Sequence, residues 1–216
     1  MTEQNYQTMR RAMVESQLRT VGVNDPRVVA AMDAVPREMF APADRRATAY
    51  ADAYIPLGNG RALNPPMTLG LLLTEARLDG SERVLVIGAA SGYAAAVAAR
   101  LAASVVALEE DSALAATARS ALDGSGVMLV EGPLAAGHSG GAPYDLVLID
   151  GAVEQLPDAL IEQVADGGRI ATGLSEQGVT RLAIGRVIGG AVGFITFADA
   201  AIAPLPGFSA PRGFSF

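Results

Sequence analysis

The chain has no cysteine, no tryptophan and no lysine, and its 216 residues include one histidine. Without cysteine there is no disulfide, no thiolate nucleophile and no thiolate-bound zinc. His138 lies in the glycine-rich stretch A-A-G-H-S-G-G-A, where a lone imidazole reads as a solvated side chain. A Ser–His–Asp mechanism would have to use it, and a histidine-cluster metal site is excluded. All 16 basic residues are arginine, scattered without a block, and the net charge is −7. An acidic chain with no basic cluster is not built to hold nucleic acid. No apolar run reaches the roughly 18 residues of a membrane span. The first residues, M-T-E-Q-N-Y-Q-T-M-R-R, lack the apolar core of a secretion signal, so a cytoplasmic location is expected. Half of the residues are hydrophobic and 18% are charged, which fits one globular domain with a sizeable core.

What is there centres on R-V-L-V-I-G-A-A-S-G-Y, residues 83–93. The unbroken apolar run at 84–87 reads as a strand buried on both faces of a parallel sheet. Gly88 ends it, Ala89, Ala90, Ser91 and Gly92 keep the following loop small, and an alanine-rich helix is expected over 93–102. Small residues let a ligand approach the backbone, and the helix start offers free N–H groups. About 20 residues past Gly88, Glu109 closes a second apolar run, where a carboxylate suits the hydroxyls of a ribose. A G-x-G-x-x-G dinucleotide loop would need glycine at Ala90 and Tyr93, so a nucleoside without a pyrophosphate fits better.

In chain order, residues 5–33 read as two helices, with Asn24-Asp25-Pro26 starting the second. Residues 53–68 contain three prolines and two glycines and read as an irregular binding loop. A helix is expected over 69–78. Strands at 84–87, 105–108, 127–130, 146–150 and 169–172 alternate with helices at 93–102, 112–122 and 157–164. That pattern predicts an α/β, doubly wound, mostly parallel sheet. Residues 180–186 and 192–198 read as an antiparallel pair completing it. The segments are then 1–52 as an N-terminal helical appendage, 53–68 as a substrate-side loop, 69–198 as the core and 199–216 as a Pro/Gly/Phe-rich tail. Ligands of such sheets sit at the carboxyl ends of the strands. The loop Gly88, Ala89, Ala90, Ser91 and Gly92, Glu109, the turn Gly132-Pro133-Leu134, and Asp150 all land there. Asp150 reads equally as a loop cap or as part of the site.

Together these residues resemble the protein-L-isoaspartate (D-aspartate) O-methyltransferase family over roughly residues 8–205. The resemblance rests on V-P-R-E-x-F from Val35, A-Y-x-D from Ala49, P-L-G-x-G from Pro56, and the central V-L-x-I-G-x-x-S-G-Y with Glu109. Tyr144-Asp145, Gly167-Gly168-Arg169 and Pro204-Leu205 add to it. It implies a Rossmann-like methyltransferase fold and S-adenosylmethionine as cofactor; no metal is expected, from the single histidine and the lack of cysteine. It also implies isoaspartyl-containing proteins or peptides as partners, methylated on the α-carboxylate so that the ester collapses to a succinimide.

The departures from the family pattern cluster at the site. Asn64 stands where the family's pre-helix loop has the serine that contacts the isoaspartyl group, so Asn64 is the expected catalytic contact. Val86 replaces a glutamate near the cofactor's methionine moiety, Ala90 a loop glycine, and Pro133 an aspartate that accepts from adenine. Two alternatives therefore stay open: a binding module of the same family without turnover, and a methyltransferase with another acceptor. D-L-V-L-I-D-G-A also resembles the strand end of small-molecule O-methyltransferases, where the aspartate helps bind a metal.

Overall fold

The computed structural model describes residues 2–176 and 178–210. The last part of the expected tail, 211–216, lies outside the described residues. Helix α1 runs Glu3–Met13 and continues through a π turn, Val14–Leu18, and a 3₁₀ turn, Arg19–Val21, that ends at Gly22 in the left-handed region. Helix α2, Pro26–Ala34, starts on Pro26 with the Asp25 carboxylate accepting from the Arg27 amide, as the sequence predicts. The stretch that follows is ordered. Its 3₁₀ turns, Arg37–Phe40 and Arg46–Thr48, bury Arg37, Glu38, Phe40 and Tyr50.

Residues 53–68 differ from expectation. They form a hairpin of two short antiparallel strands, β1 (Ile55–Gly58) and β2 (Arg61–Leu63), paired only with each other among the described residues. Gly58, Asn59 and Gly60 all have positive φ, and nothing lies within 4 Å of a Cβ built on either glycine. The turn thus needs glycine for its backbone and not for space. Helix α3, Pro66–Ala76, leads into the main sheet.

That sheet contains β3 (Arg83–Ile87), β4 (Ser104–Glu109), β5 (Met128–Glu131), β6 (Tyr144–Val153), β7 (Val164–Glu176), β8 (Val179–Ile188) and β9 (Ala191–Asp199). Among the described residues its order is β5-β4-β3-β6-β7-β8-β9. The first five in that row are parallel, and β8 and β9 are antiparallel. Helix α4 (Tyr93–Ala98) and helix α5 (Ser112–Ala121) pack beside it. The expected helix at 157–164 shrinks to the single turn α6, Asp158–Ile161, because β7 begins at Val164 and takes the Gly167-Gly168 turn into the strand.

Along β3, Val84 and Val86 join the core with α2, α3 and α4, while Leu85 and Ile87 face a second cluster with Leu160, Leu205 and Phe208. Burial on both faces is why this run is continuously apolar. The strand order reverses between β3 and β6, and that switch point opens the crevice where such folds take ligands. No helix among the described residues is long and apolar enough to cross a membrane.

Candidate functional site

At the end of β3 the chain turns sharply. The Gly88 and Ala89 amides both donate to the Leu108 carbonyl at 3.0 Å. Gly88 and Gly92 have φ of +76° and +102°, and Ala90 is held at +51°, a conformation that suits glycine better than alanine. The methyl that distinguishes Ala90 is buried and sits on a left-handed backbone. Ser91, grouped by sequence with the ligand-lining residues, donates its hydroxyl to the Phe40 carbonyl at 2.6 Å and ties the loop to the N-terminal segment.

Glu109 is fully buried at the end of β4. Its carboxylate accepts from Ala90 N at 2.6 Å, Glu110 N at 2.9 Å and Asp111 N at 3.0 Å. It also accepts both arms of the Arg61 guanidinium, at 2.6 and 2.9 Å. A carboxylate offers about four lone-pair sites. Five donors saturate it, so no acceptor is left for the hydroxyls of a ribose.

Leu205 packs against the switch point. A Cβ built on Gly88 would meet Leu205 Cδ1 at 2.7 Å and Arg61 Nη2 at 3.3 Å, and one built on Gly151 would meet Leu205 Cβ at 2.8 Å. The chain brings Leu205 there by zipping its tail along the end of β6: Ala152 N donates to Ala203 O, Leu205 N to Ala152 O, and Glu154 N to Phe208 O. The residues expected around S-adenosylmethionine do converge at this crevice. In this arrangement Arg61 takes the Glu109 acceptors that ribose hydroxyls would use, and Leu205 packs against Gly88.

Gly132 and Pro133 lie beside Glu109 at the rim. The Gly132 amide donates to the Glu109 carbonyl at 3.0 Å, and Pro133 is exposed at the start of the 3₁₀ turn Leu134–Ala136. Asp150 sits where the pairing of β6 with β7 is interrupted between Leu148 and Ala152, an irregularity of the kind that re-aims a side chain. Burial pushes its carboxyl above the usual range, while the Asn64 amide and the charges of Arg37 and Arg61 oppose the shift.

Asn64 is buried, and its amide is fully engaged. Its Nδ2 donates to the Asp150 carboxylate at 2.8 Å and to the Asp150 carbonyl at 3.0 Å, and its Oδ1 accepts from Ala203 N at 2.8 Å. Asn64 thus brackets the tail against β6, where the sequence reading expects an amide open to an acceptor. Behind it Arg37, 1% exposed, donates to the Ala49 and Asn64 carbonyls and lies 4.6 Å over the Tyr93 ring. Burial lowers the Arg37 pKa from its usual value.

Val86 is uncharged and wholly buried in β3, so that position offers no partner to a cation in the crevice. Asp145 lies at the opposite end of the sheet, accepting from Arg83 N at 2.8 Å. The His138 backbone is tied to Gln163 and Tyr144, and no cluster of three metal-ligating side chains occurs among the described residues.

Arg61, Leu205 and Arg37 are the site residues that sequence reasoning leaves unassigned. Arg37 and Leu205 fall within quoted motifs, P-R-E and P-L. Arg61 follows P-L-G-N-G and carries no separate signal.

The Protein-L-isoaspartate(D-aspartate) O-methyltransferase (PCMT) family profile matches residues 8–184. The protein-L-isoaspartate O-methyltransferase of Methanoregula boonei is 43% identical over 164 residues, spanning 74% of this chain and 76% of its own. A Marinobacter nauticus protein of that name, numbered 2, is 41% identical over 178 residues, spanning 81% of each chain. A solved protein-L-isoaspartate O-methyltransferase superposes with a TM-score of 0.81 at 21% identity, covering 92% of this chain and 66% of the other. A Plasmodium falciparum structure so described, in complex with S-adenosyl-L-homocysteine, gives 0.78 at 16% identity, covering 91% and 97%. At those identities the structures speak for the fold alone. The profile and the curated relatives show that this chain belongs to the protein-L-isoaspartate (D-aspartate) O-methyltransferase family.

Proposed function

We propose that this chain transfers a methyl group from S-adenosylmethionine to the free carboxylate of L-isoaspartyl residues in proteins or peptides. The observation that carries this reading is the family match across residues 8–184, which contains the strand–loop–helix at Gly88–Gly92, Glu109 and Asp150 at one crevice. The acceptor's chemistry agrees. An isoaspartyl carboxylate is already ionised at neutral pH, so holding it in line within about 3–3.5 Å of the methyl donor supplies much of the acceleration without a general base. Asn64 and Asp150 border the same crevice, and the charge of Arg37 behind them favours an anion there.

The test is transfer of labelled methyl to an isoaspartyl peptide, with the aspartyl peptide of the same sequence as control. Label is expected on the isoaspartyl peptide alone, released as methanol in mild alkali. Absence of label both from the parent and from a variant whose crevice has been opened would overturn the reading.

A further inference from the structure

At the crevice Glu109 is held by a residue from another part of the chain. Arg61 stands on β2, whose strand partner is β1, and reaches across to saturate Glu109 with two bonds. A second tie docks the same hairpin: Asn59 Nδ2 donates to Asp111 Oδ2 at 2.8 Å, two residues beyond Glu109. The three backbone amides on Glu109 belong to its own strand end and to the Gly88–Gly92 loop, so the carboxylate stays held if Arg61 leaves. Leu205 is clamped to β6 by backbone bonds, whereas Arg61 is fastened in the crevice through its side chain.

We propose that Arg61 is an internal competitor for the nucleoside, so that the β1–β2 hairpin acts as a clasp. While it is docked, the ribose hydroxyls have no acceptor on Glu109, and binding requires Arg61 to withdraw. The inference rests on the cofactor assignment above and adds the element that governs access to it. If the competent form is a fraction of the population, apparent affinity falls by that fraction, and removing the competitor restores it.

The experiment is calorimetric titration of the full chain with S-adenosylhomocysteine, comparing the parent with Arg61→Ala and Asn59→Ala. Arg61→Ala should bind about tenfold or more tightly than the parent. Asn59→Ala, which loosens a surface tie and leaves the buried pair intact, should show a smaller gain in the same direction. Hydrogen exchange of the parent reads the same equilibrium without a variant that has to fold: saturating ligand should lower protection across residues 55–63. The proposal falls if neither variant gains affinity, or if ligand leaves 55–63 as protected as before. Methylation of the isoaspartyl peptide by the same proteins separates the two ideas. A parent that binds as tightly as Arg61→Ala and methylates overturns the clasp and leaves the proposed function standing. Variants that bind more tightly and never methylate uphold the clasp and overturn the proposed function.

Discussion

The sheet carries a buried glutamate at each end, and the two are built alike. At the amino end Glu82, 5% exposed, accepts from the Asp79 and Gly80 amides and from Arg169 Nη2 at 2.9 Å. At the carboxyl end Glu109 accepts from three amides and from Arg61. What differs is where each arginine is rooted. Arg169 belongs to β7, inside the main sheet, and also donates to the Ala76 and Arg77 carbonyls. Arg61 rides on a two-stranded hairpin outside that sheet. Near-equal bond lengths thus accompany different anchors. One pair staples a loop in place, and the other stands at the switch-point crevice where sheets of this kind take ligands.

The largest effect expected is from Glu109→Ala. It leaves a guanidinium with only 5% of its side chain exposed and without its carboxylate, and strips an acceptor from the Ala90, Glu110 and Asp111 amides. Breaking a buried pair from one side costs about 3–5 kcal/mol. Urea unfolding should show it. Glu82→Ala should cost less, about 1–3 kcal/mol, because Arg169 is 24% exposed and keeps its carbonyl partners. Equal losses at the two sites would erase the distinction drawn between them.

Acid sharpens the contrast. At Glu82 burial acts to raise the pKa, but the Asp79 amide, Arg169 and the Gly80 amide outweigh it, and the carboxyl ends below its ordinary value of 4.5. A depressed folded-state pKa contributes stability that is fully present above the unfolded value and is lost as pH falls through the folded one. The stability gap between the parent and Glu82→Gln should therefore hold steady above pH 4.5 and shrink below it. Asp150 works the other way: its raised pKa penalises the charged form, and the penalty is relieved as pH drops through the folded value. A gap at Glu82 that widens in acid would contradict the assignment.

The smallest effect belongs to a third pair. Arg119 and Glu131 also meet at 2.6 Å, yet their side chains are 58% and 43% exposed. Arg119→Ala should change unfolding free energy by no more than about 1 kcal/mol, since water screens the pair and competes for both partners. A loss matching that of Glu109→Ala would mean that proximity, and not desolvation, sets the strength of these pairs.

Much of this molecule is legible in order along the chain. Val84–Ile87 had to be buried on both faces because no polar residue interrupts it, and Glu109 had to stand at a strand end because the apolar run stops there. Asp25 and Pro26 announce α2 by local geometry alone. The hairpin at 55–63 carries little sequence signal because its strands are short, Pro56 sits within one of them, and the glycines that punctuate a loop also make its turn. Helix α6 is shorter than its composition allows because Gln163 is drawn back to the Ala136 and Ala159 carbonyls and the chain enters β7 at once.

The sequence by itself determined the parallel α/β core, its family and the set of residues gathered at the strand ends, because apolar period and small-residue loops act over a few neighbours. Only the tertiary structure decided what stands in the crevice. Arg61 meets Glu109 across 48 positions, and Leu205 covers Gly88 from the far end of the chain. No local pattern encodes such contacts; they exist only once the sheet has brought its strand ends, the hairpin and the tail to one point.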